Sequence, residues 1–113
     1  MIKRYLTKSR FKEGLECETK LFYSNNSEYH NSKKEDSFLE ALAEGGFQVG
    51  ELAKFLVSEN PYEESISVKS LDYEIALLET KEKLKNDYVS IAEAAFNYRD
   101  LFIRVDLLKK EKE

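Results

Sequence analysis

The chain has 113 residues and a mass of 13.2 kDa, which fits a single domain over residues 1–113. It is 42% hydrophobic and 35% charged, with 4 glycines and 1 proline, and this composition excludes disordered and fibrous chains. The net charge of −4 and the single cysteine exclude a strongly basic domain and an internal disulfide framework.

The charge is unevenly distributed along the chain. Residues 1–23 contain six Lys or Arg and three Glu, so this end has an excess of three positive charges. A basic end could contact phosphates, or it could be a solvated helix face; the candidate contacts are Lys8, Arg10, Lys12 and Lys20. Apolar runs are too short for a transmembrane helix and no signal sequence follows the N-terminus, so we expect a cytoplasmic protein without membrane contact.

The first third of the chain predicts a helix followed by a loop. Thr7 or Ser9 can cap a helix that runs to about Tyr23. Residues 24–35 are polar and show no periodicity, which is typical of a loop.

A longer second helix is predicted to begin at a cap on Asp36 or Ser37 and to end at Asn60-Pro61. Its apolar residues fall on one face, namely Phe38, Leu42, Val49, Leu52, Ala53 and Leu56. Glycines in a helix lower its stability, so those at positions 45, 46 and 50 indicate either a kink or close packing against a neighbour.

The second half predicts one more helix and a hairpin. Residues 66–68 alternate like a short strand, and Asp72 can cap a third helix to about Asn86. Candidates for the buried side of that helix are Leu71, Ile75, Leu78 and Leu84. Residues 89–98 and 101–109 are strand-like on either side of Arg99-Asp100 and predict a β-hairpin. The fold class is therefore α+β, with three helices packed against a small antiparallel sheet.

A turn centred on Arg99-Asp100 fixes which residues face each other. One face is apolar and is expected to pack on the helices, with the pairs Ala92–Leu107, Ala94–Val105, Phe96–Ile103 and Tyr98–Leu101. The other face has the pairs Glu93–Asp106, Ala95–Arg104 and Asn97–Phe102.

Two carboxylates directly opposite each other are unfavourable unless something compensates their charge. Arg104 lies two positions from Asp106 on the same strand and could neutralise it. Alternatively, a divalent cation such as Mg²⁺ or Mn²⁺ could lie between Glu93 and Asp106, because both ions prefer oxygen ligands.

Six short segments of the sequence resemble motifs of a known protein family and occur in the same order as in that family. They are 6–11 (LTKSRF), 14–17 (GLEC), 20–22 (KLF), 43–53 (AEGGFQVGELA), 93–96 (EAAF) and 103–108 (IRVDLL). In this order they resemble the N-terminal part of bacterial RecB-like proteins of the PD-(D/E)xK nuclease superfamily, which includes CRISPR-associated RecB-like exonucleases. The similarity covers nearly the whole chain but only the start of the family's domain. Glu18 stands where these relatives usually have Pro, and Phe22 where they have Trp.

The resemblance implies a metal-dependent nuclease that acts on the phosphodiesters of DNA or RNA with Mg²⁺ or Mn²⁺. Asp106 matches the family's metal-binding Asp, and Glu93 is an accessory acid. In the family, the next strand carries an E-x-K motif, and the sequence reaches Glu113 without such a strand. We therefore expect an incomplete core that is inactive alone, completed by a missing C-terminal region or another polypeptide.

Two further expectations remain. Relatives with an iron–sulfur cluster contribute one cysteine from the first helix, which Cys17 matches, but a cluster needs about four thiolates, so none can form within this chain. Cys17 is then expected to be a buried structural thiol. The alternative to a nuclease is a non-catalytic module that binds a partner or a second copy through an exposed sheet edge.

Overall fold

The computed structural model describes residues 4–24, 26–30, 36–58 and 65–112. The order of elements is β1 (Leu6–Thr7), α1 (Lys8–Glu16), α2 (Glu18–Tyr23), α3 (Ser37–Leu56), β2 (Ile66–Ser67), α4 (Tyr73–Lys83), β3 (Val89–Tyr98) and β4 (Leu101–Lys110). The α+β class is confirmed. Four helices replace the three predicted ones, because the first predicted helix is interrupted at Cys17, whose backbone is extended.

Side-chain caps begin three of the helices where the sequence placed them. Thr7 accepts a hydrogen bond from the backbone N–H of Arg10, and Asp36 accepts from those of Phe38 and Leu39. Asp72 accepts from the N–H of Ile75. Each cap satisfies a backbone donor that the first helical turn leaves free, which explains why these helices begin there. The predicted end of the second helix at Asn60-Pro61 lies outside the described residues.

The sheet has the order β1-β4-β3-β2 and is mixed, not purely antiparallel. The central hairpin pairs β3 with β4, and its register matches the prediction, with Ala94 opposite Val105 and Phe96 opposite Ile103. The two short strands run parallel to their neighbours, β1 beside β4 and β2 beside β3. A two-residue strand is too short for its sequence to indicate whether it runs parallel or antiparallel to its neighbour.

The core lies around the hairpin, β2 and α4. Its buried members include Tyr5, Val68, Ala76, Val89, Ile91, Ala94, Ala95 and Phe102. Leu77 of α4 and Leu84, which directly follows the helix, pack against this cluster, whereas Leu71, Ile75 and Leu78 are more than half exposed. The predicted buried side of this helix was therefore wrong except at Leu84, because α4 instead turns the small residues Ala76 and Thr80 toward β3.

The predicted apolar face of the hairpin was wrong at the turn end. Ile103, Leu101 and Tyr98 are about half exposed or more, while Phe102, predicted on the other face, is 2% exposed. β1 pairs with Leu101 and Phe102, and the preceding Tyr5 therefore stacks on the Phe102 ring with a centroid distance of 5.4 Å. Tyr73 completes this aromatic group from the start of α4, 4.5 Å from Phe102.

α3 is loosely packed, like α1 and α2. None of its residues is buried, and Gly45, Gly46 and Gly50 have open space where a Cβ would lie. The helix is continuous from Ser37 to Leu56, so the glycines do not break it, and no neighbour within the described chain requires them. Among the described residues, no helix combines the length and apolar character that a membrane crossing needs.

Candidate metal and phosphate site

A cleft of about 760 Å³ lies between α3 and the hairpin. Glycines, apolar residues and six charged side chains line it; the charged residues are Glu51, Lys54, Lys69, Glu93, Arg104 and Asp106. The structure therefore brings both sequence-predicted acids to one cleft, as a hairpin register with Glu93 opposite Asp106 requires.

Glu93 interrupts the hairpin ladder. The pairs on either side, Ala92 with Leu107 and Ala94 with Val105, keep one register, so Glu93 and Asp106 occupy opposing positions. No ladder pair joins these two residues in the hairpin, which the structure describes throughout. Glu93 has a φ of 59°, in the left-handed region that a non-glycine residue adopts at a cost of about 1–2 kcal/mol. The ladder is thus interrupted at the positions of the two acidic residues.

Arg104 does not neutralise Asp106. Its guanidinium donates hydrogen bonds to the carbonyl oxygens of Val68, at 3.5 Å, and Ser70. Among the described residues, no ion pair involves Asp106 or Glu93. Glu93 is half-buried and Asp106 is exposed. The sequence left two ways to balance the charges of Glu93 and Asp106, namely Arg104 or a divalent cation. The structure does not show the first, because Arg104 binds backbone carbonyls instead.

Arg104 instead organises the cationic side of the cleft. The two carbonyls that it binds belong to the residues on either side of Lys69, so the guanidinium fixes the backbone around this lysine. Lys69 is exposed and lines the cleft with the two acids. On α3, Lys54 and Glu51 form an ion pair of 2.5 Å between Nζ and Oε1.

The two hairpin acids are fewer than the ligands of an all-protein metal site. Across the described residues, no three His, Cys, Asp or Glu side chains form a group that could hold a metal. Mg²⁺ keeps several waters and is often held by one or two carboxylates, so Glu93 and Asp106 match its chemistry better than that of Zn²⁺.

The E-x-K motif is not found beside this site. Two E-x-K triplets occur in the chain, at 18–20 and 79–81, and both lie on helices, α2 and α4. None of their residues lines the cleft, and Thr80 is buried under β3. Neither triplet can take the role that the family gives to a strand next to β4.

The basic residues predicted as nucleic-acid contacts lie on α1 and α2. Lys8, Arg10 and Lys12 are on α1, and Lys20 is on α2, where its Nζ is 2.8 Å from the Glu16 carboxylate. None of the four lines the cleft. These contacts therefore stay a prediction, separate from the two acids.

The expectation that Cys17 is a buried structural thiol was wrong. Cys17 is exposed at the break between α1 and α2. Hydrogen bonding from the backbone N–H of Lys20, and then of Thr19, favours the thiolate and lowers the pKa of Cys17 below its ordinary value.

Three charged residues of the cleft were not anticipated from the sequence. Glu51 and Lys54 come from α3, whose position against the hairpin no local pattern reveals. Lys69 directly follows Val68, the buried residue after β2, and β2 pairs with β3 at Ile91 and Ala92. Recognition of that parallel pairing would have placed Lys69 near Glu93.

Compared with family models, curated proteins and solved structures, the chain gives no significant match in any of the three. The resemblance to RecB-like nucleases therefore remains a prediction from the sequence motifs.

Proposed function

We propose that the chain is the metal-binding part of a PD-(D/E)xK nuclease-like protein that hydrolyses phosphodiesters in DNA or RNA. The observation that supports this proposal is the opening of the hairpin ladder between Glu93 and Asp106 at a cleft. Strained backbone conformations cluster at functional sites, and the left-handed Glu93 is not needed to form a turn. A cation bound by the Glu93 carboxylate would offset the cost of this backbone conformation.

In this proposal Asp106 is a direct metal ligand, and Glu93 is a second ligand or a partner of a metal-bound water. Bound Mg²⁺ or Mn²⁺ would supply an activated water and charge stabilisation at the phosphate. Lys69 contacts a phosphate oxygen from the same cleft, and Arg104 positions it through the Val68 and Ser70 carbonyls. The basic residues of α1 and α2 contact the polynucleotide further away.

Mn²⁺ titration followed by calorimetry or electron paramagnetic resonance tests the site. We expect one Mn²⁺ per chain, with affinity lowered at least tenfold in Asp106→Asn and in Glu93→Gln. Asp100→Asn is the matched control, because Asp100 is an exposed carboxylate at the tip of the same hairpin and does not line the cleft. Equal Mn²⁺ binding by wild type and Asp106→Asn would remove the metal site.

A second candidate is a non-catalytic module that associates through the edge of the sheet. β1 covers β4 only at Leu101 and Phe102, and among the described residues no strand pairs with the outer edge of 103–110. An unpaired strand edge can accept a strand from another chain. Failure to bind Mn²⁺, combined with self-association that Ile103→Lys abolishes, would favour this candidate.

A further inference from the structure

α3 is an amphipathic helix with its apolar side toward solvent. Phe38, Leu42, Val49, Leu52 and Leu56 are between 64% and 85% exposed. Glu51 and Lys54 line the cleft toward the hairpin, as does Val49 at the edge of the apolar side, and the Lys54 side chain is only 17% exposed. An amphipathic helix in a single domain normally turns its apolar side toward the core, whereas most of the apolar side of α3 is exposed within the described chain.

The exposed side has the spacing of a coiled-coil seam. Apolar residues and one glycine recur at alternating intervals of four and three, through the residues Phe38, Leu42, Gly45, Val49, Leu52 and Leu56. These six residues form the α3 seam. A repeat averaging 3.5 residues keeps a stripe facing one partner helix along its whole length.

We propose that the α3 seam is the contact surface for a second copy of this chain, through helix–helix pairing of α3 with α3. This inference does not depend on the metal site. Two observations select a second copy as the occupant: the area of the seam and its lack of charge.

The area fits a two-fold dimer. With about 150 Å² for each large apolar side chain, the seam exposes on the order of 500 Å² of apolar surface. A standard interface buries about 800 Å² per partner, of which about 65% is apolar in homodimers, which is again roughly 500 Å². One copy of the seam therefore supplies the apolar area that one side of such a dimer needs.

The charge distribution allows the seam to face itself. The four charged residues of α3, Glu40, Glu44, Glu51 and Lys54, all lie outside the seam and outside the positions that flank it. The flanking positions hold the uncharged residues Leu39, Ala41, Gly46, Gln48, Ala53 and Phe55. Charged flanking residues select unlike partners in coiled coils, so two identical seams meet without like-charge repulsion.

The glycines of α3 are consistent with a close approach. Gly45 lies in the seam and Gly46 beside it, and neither has a neighbour within the described chain that a Cβ would touch. Each interior glycine costs a helix about 1 kcal/mol relative to alanine, without any return inside the monomer. A second helix packed over them would use the space that they leave.

Sedimentation velocity of the full chain from micromolar to millimolar concentration tests the proposal. We expect a dimer for wild type and a dissociation constant raised roughly a hundredfold or more in Leu52→Glu, because a two-fold dimer loses the buried leucine twice. Leu52 is 70% exposed in the single chain, so the substitution leaves the fold intact, which far-UV circular dichroism verifies. Leu78→Glu is the control, since Leu78 is a leucine of α4 that is 63% exposed.

Loss of the dimer in Leu52→Glu together with its retention in Leu78→Glu would support the proposal. A wild-type chain that is monomeric throughout, or a dimer that persists in Leu52→Glu, would overturn it. A dimer lost in Ile103→Lys but kept in Leu52→Glu would assign association to the edge of β4 instead. A monomer that sediments with anionic phospholipid vesicles would assign the seam to a membrane surface.

Discussion

Thr80 joins α4 to β3 through a buried hydrogen bond with Ala95. The backbone N–H of Ala95 donates to Thr80 Oγ1 at 2.9 Å, and the same hydroxyl donates to the carbonyl of Ala76 at 2.9 Å. Thr80 is 1% exposed and Ala95 is 2% exposed, so water cannot replace either bond. One buried hydroxyl thus links the helix to the sheet.

Thr80→Val is expected to destabilise the fold by about 1–3 kcal/mol, because the isosteric side chain leaves the Ala95 N–H buried without an acceptor. Urea unfolding followed by circular dichroism measures the change. Thr80→Ser keeps the hydroxyl and loses only a methyl group, so it should cost less. Equal stability of Thr80→Val and wild type would show that the hydrogen bond contributes nothing.

Glu93→Gly separates backbone strain from metal binding. Glycine adopts a positive φ freely, so we expect Glu93→Gly to raise the free energy of unfolding by about 0.5–1 kcal/mol while Mn²⁺ affinity falls. Arg99 has a φ of 53° at the hairpin turn, which makes Arg99→Gly the matched control. Arg99→Gly should stabilise similarly and leave Mn²⁺ binding unchanged. A destabilised Glu93→Gly would contradict the assignment of strain.

The buried face at the turn end of the hairpin can be tested with two neighbouring residues. Phe102→Ala removes a ring packed against both Tyr5 and Tyr73 and should cost about 3–5 kcal/mol. Ile103 is 47% exposed, so Ile103→Ala should cost less than half as much. Chemical denaturation of both variants checks the order, and the reverse order would favour the face predicted from the sequence.

The isolated chain is expected to show no metal-dependent cleavage of single- or double-stranded DNA or RNA. The reason is that both E-x-K triplets of the chain are helical, so neither lies on a strand beside β4. Incubation of labelled substrates with Mn²⁺ and the purified chain measures this. Cleavage that disappears in Asp106→Ala would show that two carboxylates suffice.

Cys17 should react with iodoacetamide at lower pH than an ordinary thiol. The thiolate is the reactive species, and backbone N–H groups of α2 lower the pKa of Cys17, so the midpoint of the rate against pH shifts downward in the folded chain. In guanidinium chloride, α2 is lost and the midpoint should rise to that of a model cysteine peptide. An identical midpoint in both states would argue against stabilisation of the thiolate by α2.

The sequence predicted what depends on neighbouring residues. The caps at Thr7, Asp36 and Asp72 and the hairpin turn at Arg99-Asp100 are local, and all of them are present. Their hydrogen bonds form between residues close in the chain, so a short pattern is sufficient to identify them.

Features set by distant contacts were missed. Phe102 is buried against Tyr5, which lies near the other end of the chain. Thr80 faces inward, where its hydroxyl accepts a hydrogen bond from the Ala95 N–H. Within the cleft, the predicted hairpin register correctly placed Glu93 opposite Asp106. Lys69 required the parallel pairing of β2, which two residues cannot indicate.

The placement of β1 has a consequence for the order of folding. α4 and the hairpin are contiguous in the chain and contact each other, so they can assemble with little loss of chain entropy. β1 instead pairs Leu6 with Leu101, which closes nearly the whole chain into a loop for only two residues of ladder. We expect β1 and α1 to dock last and to open first, with their amide hydrogens exchanging well before those of β3.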